Sequence, residues 1–403
     1  MTTTDRQDGN HDTRAATEPS PLARLLDYRR AHGTGGLAQK LAEVGVRTLF
    51  KYAALATYYP AVGAERLRWR LRRSPTILGI EDGDLHFPGG RFAVFLVHQP
   101  NRTPWYVENA LRALAEARTN VLIVFNHPVD ATRLAAFRRR SFRLMIRDNT
   151  GFDIGGYRDG YLALRDEEAL ERLLFLNDSV YFFETGLSAF IERLMSSQAD
   201  LSAPYENRQF TYHIQSFCLS LSRDLVRHPD VRRFFEEYEP VSSRRWAIHR
   251  GEFGLSHALV GAARGLEILY PIERLGENGA EAPEAFLADP ARFLPISLRR
   301  RYAWLRSQPG LAAEPALATA LRLASPYSQI HTAGFLFRSM LGAPLVKRDL
   351  VYREQFTAQE ARDLLSVTGH EGHLEEIVAD LTRKGEGSRL RGMDQGRYVA
   401  GMI

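Results

Sequence analysis

Runs of hydrophobic residues alternate with amphipathic segments through the middle of the chain. Short apolar runs of the kind that form buried strands occupy residues 92–98, 121–125, 142–146 and 173–176. Segments with helical periodicity separate them, at residues 106–118, 130–139 and 157–165. Strands that alternate with helices in this way predict an α/β fold with a mostly parallel sheet flanked by helices.

Polar residues stand at the carboxyl ends of these predicted strands. His98, Asn126, Asp148 and Asn177 each close or follow an apolar run. Ligands of open α/β sheets bind outside the carboxyl ends of the strands. We therefore expect a binding site at this edge of the sheet.

The pattern is mixed beyond Asn177. It predicts two strands, at residues 212–221 and 266–270, and three helices, at residues 190–195, 231–238 and 253–263. Residues 276–330 are rich in Ala, Pro, Leu and Arg and predict connecting helices.

The N-terminal part of the chain has a different texture. Residues 1–20 are polar without periodicity and are expected to be disordered. Residues 21–73 have helical periodicity and carry 11 Lys/Arg against 3 Asp/Glu. One interpretation is a basic helical arm that contacts anionic lipid headgroups at the inner face of the cell membrane. The other is a helix packed on the main domain with a solvated, charged face.

Composition narrows the class of protein. A net charge of +5 is too small to predict a nucleic-acid partner. The single cysteine, Cys218, excludes an internal disulfide and a cysteine-based zinc site, and it fits a reducing cytoplasm. No run of about 18 apolar residues predicts a membrane span, and the N-terminus lacks the apolar core of a secretory signal. We expect a cytoplasmic protein.

The densest chemistry lies in residues 147–160, Arg-Asp-Asn-Thr-Gly-Phe-Asp-Ile-Gly-Gly-Tyr-Arg-Asp-Gly. Gly155, Gly156 and Gly160 let a backbone approach a phosphate closely, and a helix N-terminus attracts negative charge. The spacing matches neither the dinucleotide fingerprint nor a Walker A loop. The structural alternative is a tight turn in which Asp153 caps the helix.

A second polar cluster, Asn177-Asp178-Ser179, ends the last predicted strand. Carboxylate and amide oxygens at such a position suit Mg²⁺ or Mn²⁺ bound to a diphosphate. The alternative is an Asx-turn, in which the side chains bond only to nearby backbone.

Five segments in the same order resemble the rhamnan synthesis protein F family: residues 147–160, 174–181, 212–217, 251–256 and 344–350. The resemblance covers roughly residues 90–355. It implies a glycosyltransferase of cell-surface polysaccharide or lipopolysaccharide assembly with a GT-A-like (Rossmann-like) fold. It also implies a nucleotide-sugar donor, with dTDP-rhamnose as one candidate, and a glycan or lipid-linked acceptor.

The resemblance also implies roles for single residues. The donor would contact His98, the segment that carries Asn149, Gly151, Asp153, Gly155, Gly156, Tyr157 and Arg158, the cluster Asn177, Asp178 and Ser179, and the pair Lys347 and Arg348. For Lys347 and Arg348 the alternative is that they are surface charges in a loop. The cluster stands where related enzymes carry Asp-x-Asp, but its only carboxylate is the central Asp178. A divalent metal on Asp178 is therefore an open alternative to a site in which Asn177, Ser179 and nearby arginines bind the phosphates.

Glu252 stands where such enzymes carry the catalytic base, which takes the proton of the acceptor hydroxyl. The alternative is a first-turn glutamate that stabilises a helix dipole. His213, Gln215 and Ser216 are candidate acceptor contacts or simply polar residues on one face of a strand. His370 and His373 lack the spacing of a helical zinc motif.

The domain organisation expected from these patterns has five parts. They are a tail (1–20), a basic helical arm (21–88), a GT-A-like core (89–275), a helical extension that completes the site (276–355) and a C-terminal tail (356–403). The alternative function is a non-catalytic nucleotide-sugar-binding or glycan-binding scaffold subunit with a degenerate donor site. A nucleotide-dependent oxidoreductase is disfavoured because the dinucleotide glycine spacing is absent.

Overall fold

The computed structural model describes residues 21–279, 282–351 and 355–385. Its tertiary contacts divide the chain into two compact units, with the boundary between Tyr59 and Pro60. The first unit consists of the N-terminal part of one long helix, whose backbone at Gly33 (φ 70°, ψ 179°) is not helical. Among the described residues, none of the helices combines the length and the apolar character that a membrane crossing requires. Residues 1–20, predicted as a tail, lie outside the described ranges.

The helices and strands have the following bounds. The strands are β1 (Ile77–Asp82), β2 (Arg91–Val97), β3 (Asn120–Phe125), β4 (Arg143–Arg147), β5 (Arg172–Asn177), β6 (Val180–Phe182), β7 (Leu201–Ala203), β8 (Glu206–Asn207), β9 (His213–Ile214), β10 (Cys218–Ser222), β11 (Leu266–Ile268) and β12 (Leu345–Lys347). The helices are α1 (Pro21–Leu71), α2 (Trp105–Glu116), α3 (Ala131–Arg138), α4 (Phe152–Leu164), α5 (Leu187–Ser196), α6 (Arg223–Arg227), α7 (Pro229–Glu237), α8 (Arg244–Trp246), α9 (Phe253–Ala262), α10 (Glu273–Glu277), α11 (Glu284–Ala288), α12 (Ile296–Arg306), α13 (Pro309–Ala312), α14 (Ala316–Ala324), α15 (Gln329–Thr332), α16 (Gly334–Leu341), α17 (Ala358–Thr368) and α18 (Leu374–Gly385).

An eight-stranded sheet in the order β1-β4-β3-β2-β5-β10-β7-β11 organises the second unit. Strands β4, β3, β2 and β5 are parallel, β1 and β10 join them antiparallel, and β11 pairs parallel with β7. Every residue of β3 and β5 is buried, as expected for parallel strands covered on both faces. The predicted α/β fold, with a mostly parallel sheet flanked by helices, is confirmed.

The two faces of the sheet support separate apolar cores. In β2, Ala93, Phe95 and Val97 join the core beneath α2, α5, α14, α16, α17 and α18. The alternate residues Phe92, Val94 and Leu96 join the core beneath α4, α7 and α9. This alternation follows from the period of two along a strand.

Three expectations from the sequence need correction. Residues 77–82, inside the predicted helical arm, form the edge strand β1, because Ile77 to Asp82 pair with β4. The single strand predicted at 212–221 is instead β9 and β10, which belong to different sheets. Residues 358–385, inside the predicted C-terminal tail, form α17 and α18, and their apolar side chains (Leu364, Leu365, Ile377 and Leu381) are buried in the core.

Three arginines at and just after the end of α1 pair with carboxylates. Arg66 and Arg70 both contact Glu239, and Arg72 contacts Asp148. Trp69 also lies beneath the guanidinium of Arg158, 5.7 Å from the ring centre. Residues 66–72 therefore match the interpretation of a helix packed on the main domain with a charged face.

Candidate functional site

A cavity of about 580 Å³, lined by both polar and apolar side chains, opens where β5 ends and α4 begins. Five segments that are distant in sequence line it: the start of α4, the end of β5, the β8–β9 hairpin with the residues after it, the segment from α8 to α9, and the segment from α15 to β12. The lining residues are Phe152, Asp153, Ile154, Asn177, Ser179, Asn207, Gln209, Phe210, His213, Gln215, Ser216, Phe217, Arg244, Ala247, Ile248, Glu252, Phe253, Ser328, His331, Lys347, Arg348 and Asp349.

The turn after β5 presents Asn177 and Ser179 to this cavity. The Asn177 Oδ1 accepts hydrogen bonds from the backbone N–H of Ser179 (3.1 Å) and from its Oγ (2.6 Å). The Asn177 Nδ2 donates to Asp153 Oδ2 across the cavity wall (3.1 Å). The Asx-turn predicted as the alternative is therefore present, and it leaves both side chains at the cavity.

Asp178, the predicted metal ligand, is not among the cavity-lining residues. Its Oδ2 accepts from the backbone N–H of His98 (3.1 Å) and from Gln99 Nε2 (2.6 Å). A guanidinium nitrogen of Arg348 lies 3.9 Å from the same oxygen. Within the described ranges, no group of three or more His, Cys, Asp or Glu side chains is arranged to hold a metal ion. These residues do not fit a carboxylate-held cation at Asp178.

The side chain of His98, predicted as a donor contact, likewise lies outside the lining. Its exposed ring packs edge to face against His127, 5.5 Å between ring centres. Only its backbone N–H takes part, by fixing Asp178.

Lys347 and Arg348 have different environments although they are adjacent. The Lys347 ammonium donates to Ser179 Oγ (3.0 Å) and lies 4.8 Å from the centre of the Phe217 ring, at the cavity wall. Arg348 is buried, and it donates to the backbone oxygen of Asp178 (2.6 Å) and to Asp380 (3.0 and 3.1 Å). Lys347 is thus placed to meet an anion, whereas the Arg348 guanidinium binds the turn to the C-terminal region.

The glycines of residues 147–160 permit close packing and do not form a phosphate cradle. Gly155 and Gly156 belong to α4, which begins five residues earlier than predicted. A Cβ at Gly156 would lie 1.9 Å from Leu96 Cδ1, and one at Gly155 would lie 2.3 Å from the Thr150 carbonyl oxygen. Gly151 has a left-handed backbone (φ 76°) and lies against Pro240.

The other residues predicted from this segment are dispersed. Tyr157 is buried in the core against Phe175, and burial raises its pKa. Asn149 is exposed outside the cavity, and Arg158 lines a separate groove of about 430 Å³ beside Trp69. Only Asp153, with the flanking Phe152 and Ile154, reaches the cavity.

Arg147 and Asp159 of residues 147–160 form a buried ion pair. Arg147, 0% exposed, donates from Nε to Asp159 (2.9 Å), from Nη1 to Asn126 (2.8 Å) and from Nη2 to the Thr150 oxygen (2.6 Å). Asp159 also accepts from Thr76 (3.0 Å). The bonds tie the loop before α4 to the helix itself and so position Asp153.

Asp153 is electrostatically strained. Burial and the negative charges of Asp178 and Glu252, opposed by the positive charges of Lys347 and Arg147, together raise its pKa to about 6. Burial and like charges both favour the protonated carboxyl.

Glu252 lies at the end of a π-helical turn, Ala247–Glu252, just before α9. Its side chain is half-buried, faces the cavity and accepts a hydrogen bond from Ser216 Oγ (3.1 Å). No N-terminal N–H of α9 bonds to it as a cap. Single π-turns recur at functional sites because they redirect a side chain.

His213 and Gln215 are buried along the same wall as Ser216. The Nδ1 of His213 lies 2.9 Å from the Thr211 carbonyl oxygen, which can only accept, so Nδ1 carries a proton. The imidazole ring lies 4.5 Å from the Phe253 ring, centre to centre. The three residues predicted as acceptor contacts thus meet at the cavity with Glu252.

The cavity also contains three polar side chains, linked by hydrogen bonds, that the sequence does not indicate as a group. Ser328 Oγ lies 2.7 Å from His331 Nδ1, and His331 Nε2 lies 2.9 Å from Asp349 Oδ1. All three line the cavity, together with Arg244 and Phe210. Only the resemblance at residues 344–350 pointed to this part of the chain. Nothing in the spacing of 328 and 331 indicated that they approach residue 349.

No family model matches the chain, so the resemblance to the rhamnan synthesis protein F family is not confirmed. An uncharacterised protein, y4gN, from Sinorhizobium fredii (strain NBRC 101917 / NGR234) is 27% identical over 189 residues, which cover 45% of this chain and 49% of that protein. The match thus spans about half the length of that relative.

Several solved structures of glycosyltransferases are similar at low levels. The mannosyltransferase PcManGT from Pyrobaculum calidifontis, in complex with GDP-Man and Mn²⁺, is 12% identical with a TM-score of 0.28 and covers 85% of this chain and 99% of its own. S. aureus TarS 1-349 in complex with UDP-GlcNAc is 13% identical with a TM-score of 0.31 and covers 77% and 88%. TM-scores of this size assign neither a fold family nor an activity to the chain.

Proposed function

We propose that this protein is a glycosyltransferase that moves a sugar from a nucleotide-diphosphate donor to a hydroxyl of a glycan or lipid-linked acceptor. One observation carries the proposal. A single cavity at the carboxyl end of a parallel strand presents the carboxylate of Glu252 and the ammonium of Lys347, with Asn177 and Ser179 between the strand and Lys347. An inverting sugar transfer uses a carboxylate to take the proton of the acceptor hydroxyl and positive charge to stabilise the departing diphosphate, and this cavity holds a candidate for each.

In the proposed reaction the acceptor oxygen attacks the anomeric carbon, and the bond from that carbon to the phosphate oxygen breaks. Glu252 takes the proton of the acceptor hydroxyl, and the hydrogen bond from Ser216 orients its carboxylate. The nucleoside diphosphate leaves with the bonding electrons. Lys347, held by Ser179, stabilises the charge that develops on it.

The nature of the donor sugar rests on the sequence resemblance alone. Five ordered segments favour a role in cell-surface polysaccharide synthesis, with rhamnose carried on dTDP as the first donor to test. A divalent cation would have to be held mainly by the diphosphate, because the Asp178 carboxylate is already bonded to His98 and Gln99.

Residues 21–59, the first part of the predicted arm, have a proposed role of their own: they would bind peripherally to anionic membrane at the inner face of a cell. Residues 21–59 carry six Lys/Arg against two Asp/Glu, and Leu49 and Tyr52 are exposed on the helix. Co-sedimentation with phosphatidylglycerol vesicles tests this role. Equal sedimentation of the full chain and a chain that lacks residues 21–59 would contradict it.

The central test is sugar transfer by the purified chain. We expect mass spectrometry over a panel of nucleotide sugars to detect donor hydrolysis or transfer. Glu252→Gln should lower kcat by about 10²–10⁴-fold, the usual contribution of a general base, with little change in donor affinity. Glu277→Gln, at an exposed glutamate outside the cavity, is the matched control and should leave the rate unchanged. Full activity of Glu252→Gln would remove Glu252 as the base.

The second candidate function is a non-catalytic scaffold that binds a nucleotide sugar or a glycan. The observation that favours it is the commitment of Asp178, the only carboxylate of the cluster, to contacts away from the cavity. Calorimetry with UDP, GDP and dTDP, with and without Mn²⁺, separates the candidates when it is combined with the transfer assay. Binding without turnover would favour the scaffold, and turnover would exclude it.

A further inference from the structure

Phe210 occupies an unusual position at the tip of the β8–β9 hairpin. Its side chain is 88% exposed, yet it lines the cavity. An exposed phenylalanine gains nothing from folding, because its apolar surface remains in water. A ligand that covers the ring would recover that contribution.

The backbone holds the ring at this position at a cost. Phe210 has φ of 69°, a left-handed conformation that a bulky side chain rarely adopts. Hydrogen bonds on both sides maintain it: the Gln209 N–H donates to Asn207 Oδ1 (2.8 Å), and the Thr211 N–H donates to the Gln209 oxygen (2.9 Å). Strained residues kept in place by their surroundings cluster at ligand-binding sites.

The groups around Phe210 indicate which ligand would cover it. The hairpin and the residues after it contribute neutral side chains to the cavity, namely Asn207, Gln209, Gln215 and Ser216, with His213. The one buried carboxylate of the hairpin, Glu206, pairs with Arg208 and does not line the cavity. Amides and hydroxyls bind sugar hydroxyls, and an aromatic face packs on the C–H face of a pyranose ring.

The residues after the hairpin also contact Glu252, the proposed catalytic base. Ser216, which directly follows Gln215, donates to Glu252 (3.1 Å), whereas the cation Lys347 is held by Ser179 at the end of β5. A diphosphate is therefore drawn toward Lys347, and the acceptor hydroxyl belongs beside the hairpin.

We infer that Phe210 is a stacking platform for a pyranose ring of the acceptor, so that the acceptor presents a carbohydrate and not only a lipid headgroup. This inference rests on the proposed glycosyltransferase function. The ring packs on Phe210, the amides of Asn207 and Gln209 bind its hydroxyls, and the attacking hydroxyl points toward Glu252.

The test measures binding of methyl glycosides of rhamnose, glucose, galactose and mannose to the full chain by saturation-transfer NMR in the presence of a nucleoside diphosphate. At least one glycoside should bind, with the strongest saturation on the protons of one ring face. Phe210→Ala should weaken that binding by about tenfold, the effect of losing one well-packed aromatic contact. Phe210→Trp should retain it.

The controls separate this inference from the function on which it rests. Leu287→Ala, at a 60% exposed leucine outside the cavity, should not alter glycoside binding. Calorimetric affinity for the nucleoside diphosphate should be the same for wild type and Phe210→Ala.

A loss of nucleotide affinity in Phe210→Ala would mean that the nucleobase of the donor stacks on Phe210, and this result would overturn the acceptor platform. Equal glycoside affinity in both proteins, or nucleotide binding with no glycoside binding at all, would overturn the platform and leave the transferase standing. Absence of both nucleotide and glycoside binding would overturn the proposed function itself.

Discussion

Neighbouring charged residues of the segment 147–160 differ sharply in environment. Arg147 and Asp159 are buried and satisfy each other, so their charges serve the architecture. Asp153 instead lies at the cavity with Asn177 as a hydrogen-bond partner and with the negative charges of Asp178 and Glu252 nearby. Its ionised form is therefore disfavoured, and this has a measurable consequence.

Asp153 should make stability depend on pH. Its folded-state pKa of about 6 lies above the ordinary value of 3.8, so the folded protein holds the proton more tightly than the unfolded chain does. The ionised carboxylate then destabilises the fold, by an amount that is absent below pH 4 and complete above pH 6. Relative to Asp153→Asn, wild type should lose up to about 3 kcal/mol of unfolding free energy across that window.

Urea denaturation of wild type and Asp153→Asn at several pH values measures this difference. Asp84→Asn, at an exposed aspartate paired with Arg138, is the control for the loss of one surface carboxylate. A difference between wild type and Asp153→Asn that stays constant from pH 4 to pH 6 would show that Asp153 ionises normally.

Among the secondary-structure elements, α4 reaches the site because it packs closely on the sheet. Val94 and Leu96 of β2 touch the positions where Gly160 and Gly156 would carry a Cβ. The absence of side chains brings the helix onto the sheet, and its first turn then places Asp153 beside Asn177. The glycines thus affect the site indirectly, through the position of α4 on the sheet.

Gly156→Ala should destabilise the protein. The new Cβ would lie 1.9 Å from Leu96 Cδ1, so the helix or the leucine must move. Overpacking of this kind costs about 1–3 kcal/mol. Thermal or urea denaturation measures the loss.

A second glycine provides the matched control. Gly261 lies in α9 with no atom within 4 Å of its would-be Cβ. Gly261→Ala should therefore be neutral or should stabilise the protein by about 0.5–1 kcal/mol, because alanine is the better helix former. Equal effects of the two substitutions would contradict the packing role of Gly156.

At the scale of the whole molecule, helix α18 contacts the site through Asp380 and Arg348. Asp380 accepts hydrogen bonds from Arg348 (3.0 and 3.1 Å) and from the Tyr181 hydroxyl (2.8 Å). Arg348 in turn donates to the backbone oxygen of Asp178 (2.6 Å), in the turn that carries Asn177 and Ser179. A helix near the end of the described chain therefore supports the turn at the end of β5.

Asp380→Asn should be strongly destabilising. It removes the nearer of the two carboxylate charges beside the buried Arg348 guanidinium, the other being Asp178 at 3.9 Å. Breaking a buried ion pair in this way costs about 3–5 kcal/mol. Nucleoside diphosphate affinity should also fall, because the turn next to Lys347 loses its support. Chemical denaturation and calorimetry measure the two effects.

The same helix offers a control. Glu376 pairs with Arg102 at the surface, where the arginine side chain is 64% exposed. Glu376→Gln should change the unfolding free energy by no more than about 1 kcal/mol. A similarly small effect of Asp380→Asn would mean that Arg348 does not depend on the pair.

Most of the α/β core could be predicted from the sequence. Strand and helix periodicity arises from neighbouring residues, so β2, β3, β4 and β5 and the helices between them agree with the predicted ranges within a few residues. The sequence did not indicate strand β1, because Ile77–Asp82 is short, is interrupted by Gly79 and ends in two acidic residues, and the strand is mostly exposed at the edge of the sheet. Helices α17 and α18 were missed because they follow the last recognised segment.

The sequence alone determined where polar residues follow buried strands, because that information is local. It therefore placed Asn177 and Ser179 at the end of β5, whereas Glu252 was proposed from the resemblance; all three line one cavity, and their roles stay predictions. Only the tertiary structure decided which way each side chain points. Asp178 turns to His98, the glycines of α4 pack on β2, and Ser328, His331 and Asp349 meet across 21 residues of chain. Such contacts depend on how distant segments pack together, and no local spacing encodes them.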